Sequence, residues 1–517
     1  MLVAKDHKKL LLNLKQPERV TSIIPGAKLL EIRGQQIVSV PHTLDVARVL
    51  RNLGLAAPGP ILHYYDWPGF EPFAHQKETA EAMTLNPRFF CLNDMGSGKT
   101  VSALWAFDYL RSLGELDWCL VVSPLSTLER AWGDEIFRNF QHLSFAVLHG
   151  PHKLKLVDED RDIFIINHDG LKNSQMLDKL VHKPGNGLIL VDELASFRNS
   201  STVRWKALNK LVNGDVKKRI LPRKWVWGMT GTPIPTEPTD AWAQCRIIKP
   251  DTVPNYFGAF RDTVMRQISQ YKWAPKDNAL EMVHRAMQPA IRFKREDCID
   301  LPPTTWVERQ VELTPEQAKL YKDMLGKFRA EYEGGQITAM NEAIKVNKLV
   351  QIALGSAYGT DGDVTIPAQP RVDEVLEIIS ESGAKVIVFV PLTGALHKLA
   401  ELIGKEYEVA IVEGATTKRQ RDNIFSEFQS PHGPRVLVAQ PATMAHGLSL
   451  TAADTIVWYA PINSNEIYQQ ANARIVRPGQ KRNTLIVKIQ GTEIERKMYA
   501  RLGKRGNTQG VLLDMFD

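Results

Sequence analysis

"FFCLNDMGSGKTVSAL", residues 89–104, carries an apolar run into a turn punctuated by two glycines, then into a lysine, a threonine and a helical pattern. A Gly-x-Gly-Lys-Thr turn between a buried strand and a helix lets backbone N–H groups surround a phosphate. Lys99 would reach the terminal phosphates and Thr100 would offer its hydroxyl to magnesium. Glycine is needed at 96 and 98 because the chain must turn tightly and let an anion approach its amides. The run Asp94, Met95, Gly96, Ser97, Gly98, Lys99, Thr100 is therefore a candidate nucleotide cradle. Its pattern is incomplete, since Asn93 stands six positions before Lys99 where such loops commonly begin with glycine. The plainer reading is a glycine-rich turn that binds nothing.

The bulk numbers suit a globular chain: 517 residues, 44% hydrophobic, with 34 glycines and 30 prolines, enough for about three domains and a large core. Four cysteines (Cys91, Cys119, Cys245, Cys298) lie far apart with no Cys-x-x-Cys pair, so neither a zinc site nor a disulfide framework is suggested and a reducing compartment fits. No apolar run reaches the roughly 18 residues of a membrane helix, and the start "MLVAKDHKKLLLNLK" lacks a small-residue cleavage site. A soluble, intracellular, cytoplasmic protein is expected, with no membrane partner; the small size suggests a prokaryotic or viral source. The net charge of +7 favours a polyanionic partner without identifying one.

From residue 89 the chain repeats one pattern of apolar run, polar turn and helical stretch. The runs "CLVVSP" (119–124), "DIFIINH" (162–168), "LILVDE" (188–193) and "WVWGMTGTP" (225–233) follow the first. Runs of this kind suit strands covered on both faces, as in a parallel sheet. A second series, "KVIVFVP" (385–391), "EVAIVEG" (408–414), "RVLVAQP" (435–441), "TIVWYAP" (455–461) and "TLIVKIQ" (484–490), implies a second α/β sheet. Between them, 240–380 reads as mainly helical. Within it Thr314 is placed as an N-cap, Pro315 as the first helical residue and Gln317 as the capping-box partner. "DLPPT" (300–304) is the stiffest connector. The expected division is a small module at 1–66, a first lobe at 67–295 with a helical extension, and a second lobe at 296–517 with a helical insertion at about 314–360.

Ligands of open α/β sheets sit outside the carboxyl ends of the strands, so the residues after each run should converge. This collects the lysine loop, Asp192 with Glu193, and Thr230-Gly231-Thr232. Asp192 would hold magnesium and Glu193 would orient the attacking water, as phosphoryl transfer requires. An acidic pair favoured by a helix N-terminus is the plainer alternative. In "SNEIYQQANARIVRPGQKR" (464–482), Gln470, Arg474 and Arg477 are spaced by four and three, on one face of a helix that Pro478 and Gly479 would stop. Either this is a solvated basic face, or the arginines reach a γ-phosphate, an interaction worth about 10³–10⁵ in rate.

The ordered set "MGSGKT", "LVVSPLSTLERAWGDEI", "IINHDGL", "VDELASFRNSST", "MTGTPI", "LPPTTWVERQVELTPEQAKLY", "GLSLTAADTIVWYAP" and "QANARIVRPGQ" resembles the motif series of superfamily-two helicases. Within them it resembles the Swi/Snf-type branch of ATP-driven double-stranded DNA translocases, over about residues 70–500. The resemblance implies two tandem RecA-like domains, ATP and Mg2+ as cofactors, and DNA, duplex or branched, as partner. Carried over, the nucleotide lysine is Lys99, the magnesium pair Asp192 and Glu193, and the arginine fingers Arg474 and Arg477. Gln76 in "PFAHQKETAEAM" would read adenine, with Phe73 or His75 stacking on the base; the plainer reading of Gln76 is a buried amide satisfied by backbone. Thr230 and Thr232 resemble the motif coupling the ATP site to the DNA track, and Pro124, His168 and Gly447 mark loops facing the nucleic-acid backbone in relatives, Gly447 and Gln470 standing on the nucleotide side of the second lobe.

The pattern departs in three places. Ala195 stands where the family has a histidine linking the two sites, so that coupling is expected to run through Thr230 and Gln470. Met444 and Ala445 stand where glycines are usual, and Asn93-Asp94 replaces the commoner acidic pair. Residues 18–66 resemble the small module that precedes the motor in annealing helicases, through an Ile-Pro-Gly-Ala turn, a short strand and a proline. The expected activity is a DNA-dependent ATPase that moves on or remodels DNA by fork or junction remodelling, annealing or protein displacement. The alternative is a nucleotide-gated protein-remodelling factor, for example acting on a polymerase, to which DNA is incidental.

Overall fold

The computed structural model of the chain describes residues 1–32, 34–269, 272–294, 298, 301–333, 339–359, 362–444, 449–477 and 479–515. The backbone divides into two compact units, Met1–Cys298 with Val511–Asp517, and Ile299–Gly510.

The apolar runs of the first unit pair into one seven-stranded sheet. Its spatial order is Ala290–Ile291, Arg88–Cys91, Trp225–Met229, Gly187–Asp192, Trp118–Ser123, Ile163–Asn167, Phe145–Val147. Every pairing is parallel. Alternation splits each run between two cores. Leu120, Val122, Ile189 and Val191 pack on one side, while Cys119, Val121, Leu188 and Leu190 pack on the other. Both faces are thereby covered, and that is why these strands read as continuous apolar runs. The two edge strands Phe145–Val147 and Ala290–Ile291 are too short to stand out in the sequence.

Ahead of this sheet, Leu2–Ala4, Lys9–Leu12, Gln35–Pro41 and Lys28–Ile32 form an antiparallel sheet in that spatial order. Leu10, Leu12, Val38 and Val40 on its inner face close over Val20, Ile24, Val46 and Leu50. Arg48 and Arg51 fasten the helix Leu44–Asn52 to the helix Ala74–Leu85. Arg48 donates to the carbonyls of Thr84 (2.8 Å) and Leu85 (3.1 Å), and Arg51 pairs with Glu81 at 2.7 Å.

The second unit holds a six-stranded, wholly parallel sheet in the order Thr304–Gln310, Thr484–Gln490, Ala453–Trp458, Lys385–Phe389, Val436–Ala439, Val409–Val412. Val386 and Val388 face one core, Ile387 and Phe389 the other. Two α/β sheets are therefore present, as the two series of runs implied.

The intervening stretch is mainly helical, as its sequence suggested, but not wholly so. It contains the helices Asp240–Ile248, Phe257–Val264, Ala279–Ala286, Pro315–Glu333 and Ala339–Ala353 and most of Gln369–Glu381. It also contains two antiparallel hairpins, Met265–Ser269 with Lys272–Pro275 and Ser356–Gly359 with Gly362–Thr365, and the parallel strand Thr304–Gln310. These extended segments lack the continuous apolar runs of the other sheet strands, so sequence periodicity did not announce them. The capping box forms as read: Gln317 N donates to Thr314 Oγ1 (3.2 Å) and Thr314 N to Gln317 Oε1 (3.0 Å).

In the second unit Arg371 and Glu495, both almost fully buried, form an ion pair at 2.8 Å. The Glu495 carboxylate also accepts from the N–H groups of Gly491 and Thr492, at 2.9 and 3.0 Å. This pair joins the helix Gln369–Glu381 to the start of the helix Glu493–Asp514. Removing one partner strands a buried charge, so Arg371→Met should cost about 3–5 kcal/mol in urea unfolding of this unit. The double change Arg371→Met with Glu495→Leu should recover most of that loss; an unaltered midpoint in the single variant would remove the pair's assigned role.

Candidate nucleotide-binding site

Register assembles the site. Met229 lies opposite both Cys91 and Asp192 in the parallel ladder, and Val122 lies opposite Val191. Parallel strands all end at one edge, so the loops after Cys91, Met229, Asp192 and Ser123 are neighbours there.

In the first loop Gly96 and Gly98 both take φ of +83°, the left-handed region that glycine enters freely. A Cβ on Gly98 would collide with Gln76 Nε2. Lys99 opens the helix Lys99–Ser112 and turns its ammonium back onto the carbonyls of Asn93 (2.9 Å) and Asp94 (3.0 Å). Thr100 follows in the first helical turn, half-buried. Asn93, the residue in place of the usual glycine, has a structural task. Its fully buried amide donates to Thr79 Oγ1 (2.8 Å) and accepts from Phe293 N (3.0 Å), tying the loop to two other elements. Asp94 is held from the same direction, paired at 2.9 Å with the buried Arg292.

The hydroxyls of Ser97 and Thr232 are buried without a hydrogen-bond partner among the described residues. A buried hydroxyl in that condition is costly unless something supplies the missing bond, so the cradle suits an oxygen-rich anionic ligand.

Gln76 is the buried, backbone-bonded amide of the plainer reading. Its amide N–H points at Ser97 O (3.4 Å) and its oxygen accepts from Phe73 N (3.1 Å). His75 Nε2–H donates to the same Ser97 carbonyl at 2.8 Å, and the exposed Phe73 ring stacks on His75 with centroids 5.8 Å apart. The floor of the loop is thus built from Phe73, His75 and Gln76.

The acidic pair terminates the next strand but one. Asp192 Oδ2 accepts from the Trp132 indole and Oδ1 from Glu193 N, both at 3.1 Å. Burial pushes the Asp192 carboxyl up, opposed by the indole, by the Lys99 ammonium and by that backbone N–H. Glu193 sits at φ +52°, a conformation that side-chain-bearing residues avoid. His168, at the end of Ile163–Asn167, donates through Nε2–H to the Asp192 carbonyl at 2.9 Å and lies edge-on to Phe197. It therefore touches the acidic loop directly. Pro124 ends the neighbouring strand, buried, with its carbonyl accepting from Thr127 Oγ1 at 2.9 Å. Thr230 N donates to Cys91 O (3.0 Å), Thr232 N to Thr230 Oγ1 (3.1 Å), and a Cβ on Gly231 would lie 3.4 Å from Asn93 O. This turn packs against the lysine loop itself.

In the second unit the spacing argument needs correction. The helix carrying Gln470 is Asn465–Asn472, and Arg474 and Arg477 lie beyond it in turns, so the three do not share one helical face. Tertiary bonds hold the helix end and the chain just beyond it. Asn472 Oδ1 accepts from Trp458 Nε1 (2.8 Å), and the Arg474 carbonyl accepts from Leu450 N (2.9 Å). Gln470 and Arg474 are buried and Arg477 is half-buried. Gly447, Ala445 and Pro478 lie outside the described residues.

Two residues of the site had no role assigned from sequence. Trp132 sits inside "LERAWGDEI" and Arg292 inside "IRFKRED", and neither residue type announces a contact 60 or 198 positions away.

Comparison with known proteins gives the family. Residues 89–357 match the SNF2-related domain and 370–479 the helicase conserved C-terminal domain. The chain belongs to the SNF2-related family. It is 23% identical to the ISWI chromatin-remodeling complex ATPase ISW1 of Saccharomyces cerevisiae over 82% of this chain and 38% of that protein. It is 25% identical to the putative protein p41 of Acyrthosiphon pisum secondary endosymbiont phage 1, over 74% of this chain and 83% of that one. The chain spans 37–38% of the length of the first four curated relatives it matches. Among solved structures, the Sulfolobus solfataricus SWI2/SNF2 ATPase core in complex with dsDNA is similar at 24% identity and a TM-score of 0.42, covering 87% of this chain and 94% of that one. Among the described residues no helix is long and apolar enough to cross a membrane.

The Gly98 geometry is open to a stability test. Gly98→Ala meets both the strain of φ +83° and the Gln76 amide, whereas Gly114→Ala at φ +73° meets strain alone, with open space around its Cβ. Left-handed strain costs about 1–2 kcal/mol, so Gly98→Ala should be the more destabilising of the two in chemical denaturation. Adding Gln76→Ala should narrow the difference; equal costs for both glycines would argue against the close packing.

Proposed function

We propose that the protein is a magnesium-dependent ATPase motor that moves on or remodels duplex or branched DNA. The observation carrying this reading is the meeting, at one sheet edge, of a lysine-bearing glycine turn, an acidic pair and the Thr230–Thr232 loop. In this reading residues Asp94 to Thr100 cradle the phosphates, with Lys99 on the terminal ones and Phe73 and Gln76 beside the base. Thr100 and Asp192 hold the magnesium ion, and Glu193 orients the attacking water. The buried, unbonded hydroxyls of Ser97 and Thr232 support an oxygen-rich occupant. When bound, magnesium neutralises phosphate charge; positioning is left to the protein groups.

In this reading Arg474 and Arg477 are the arginine fingers, and Gln470 and Gly447 are assigned to nucleotide binding. Pro124 and His168 stand at the strand ends assigned to the DNA track. Membership of the SNF2-related family and the net charge of +7 support a nucleic-acid partner. Contacts to backbone phosphates carry no sequence information, so binding should tolerate sequence and weaken steeply with salt.

Lys99→Ala should abolish ATP turnover while leaving DNA binding largely intact. Arg474→Ala should retain nucleotide affinity and lose turnover by about 10³-fold or more. Turnover measured with duplex DNA, single-stranded DNA, RNA and no nucleic acid decides the substrate. Strong stimulation by duplex supports the motor, and indifference to all three would replace it with a nucleotide-gated factor acting on protein.

A further inference from the structure

The hairpin Met265–Ser269 with Lys272–Pro275 has no part in the nucleotide site. Its register pairs Met265 with Pro275, Arg266 with Ala274 and Gln267 with Trp273. Alternation along a strand separates its faces. Met265 is buried and Trp273 packs on the core of the first unit, so this face is the inner one. Arg261 stacks over Trp273 at 3.9 Å and pairs with Asp262, and Lys276 Nζ donates to the Asp262 carbonyl at 2.6 Å. The base of the hairpin is thereby stapled to the helix Phe257–Val264, and its own cations there are occupied.

The outer face is different. It carries Arg266, Ala274 and Lys272, while Ile268, 57% exposed, is the unpaired residue where the register shifts between Gln267 and Ser269. Neither Arg266 nor Lys272 forms an ion pair or side-chain hydrogen bond among the described residues. From Met265 to Lys276 the sequence has three cations and no acid. A hairpin that leaves two unpaired cations on one outward face offers charge to the phosphates of a nucleic-acid backbone.

We propose that this outer face is a duplex-DNA contact of the first unit, separate from the strand-end loops, in which Arg266 and Lys272 each engage a backbone phosphate. The assignment rests on the DNA-motor reading above.

The test compares wild type with Arg266→Ala/Lys272→Ala on a mixed-sequence duplex, by fluorescence anisotropy without nucleotide and by DNA-activated ATP turnover, across a salt series. Loss of two phosphate contacts should lower the slope of log affinity against log salt by about 1.8, and raise the half-activating duplex concentration about tenfold or more near physiological salt. Turnover at saturating duplex should stay within about twofold of wild type. The charge-preserving Arg266→Lys/Lys272→Arg should behave as wild type. An unchanged slope and half-activating concentration in the alanine variant, with wild type still stimulated by duplex, would overturn the hairpin contact and leave the motor reading standing. A weakened grip on single-stranded DNA but not on duplex would overturn it too. Absence of duplex stimulation in wild type would instead strike the motor reading on which it rests.

Discussion

Parallel pairing of Met229 with Cys91 on one side and Asp192 on the other is the constraint on which the first unit depends. In a parallel sheet every strand leaves by the same edge, so turns separated by about a hundred residues in the chain become adjacent. The same pairing commits alternate side chains to two cores, and a shift of one position would exchange the residues of the two. Leu190 and Val191 could not be exchanged without unpacking both sides, because each is almost wholly buried in a different cluster. Packing energy therefore sets the position of Asp192, although Asp192 contributes little to packing.

Around that edge, polar groups hold other polar groups in place. Asn93 bonds to Thr79 and Phe293, Asp94 to Arg292, and Asp192 to Trp132 and to its own neighbour's N–H. Each of these bonds offsets part of the cost of burying a carboxylate or amide, and together they leave the loop little freedom to relax. The first strand's exit and the segment Arg292-Phe293 are joined by this network, since Asp94 N also donates to Phe293 O at 3.1 Å. A site organised before its ligand arrives spends less of the binding energy on ordering.

The second unit repeats the sheet logic with a different fastening. Its parallel strands are closed at one edge by Thr304–Gln310, which pairs in register with Thr484–Gln490 across about 180 residues of sequence. The Arg371–Glu495 pair locks the helices flanking that sheet, and its worth lies in where it holds the chain more than in net stability. Surface charge follows another rule. In the first unit the cations at the hairpin base are neutralised or stacked, while those on the outer face are left to solvent, a distribution that matters only for a partner.

The sequence by itself determined the two α/β sheets, the strands announced by apolar runs but not the edge strands Phe145–Val147, Ala290–Ile291 and Thr304–Gln310, the glycine-lysine turn, the acidic pair and the capping box at Thr314, because each of these rests on local periodicity or on a turn whose chemistry lies within a few residues. Tertiary structure alone decided what joins distant positions. Trp132 and Arg292 act as struts because parallel register and the last edge strand bring them to Asp192 and Asp94. The helix after Ser464 ends at Asn472, short of Arg474, and Trp458 and Leu450 bond the Asn472 side chain and the Arg474 carbonyl there. Periodicity reports which face of a segment is buried, but which neighbour buries it is settled only when the whole chain has packed.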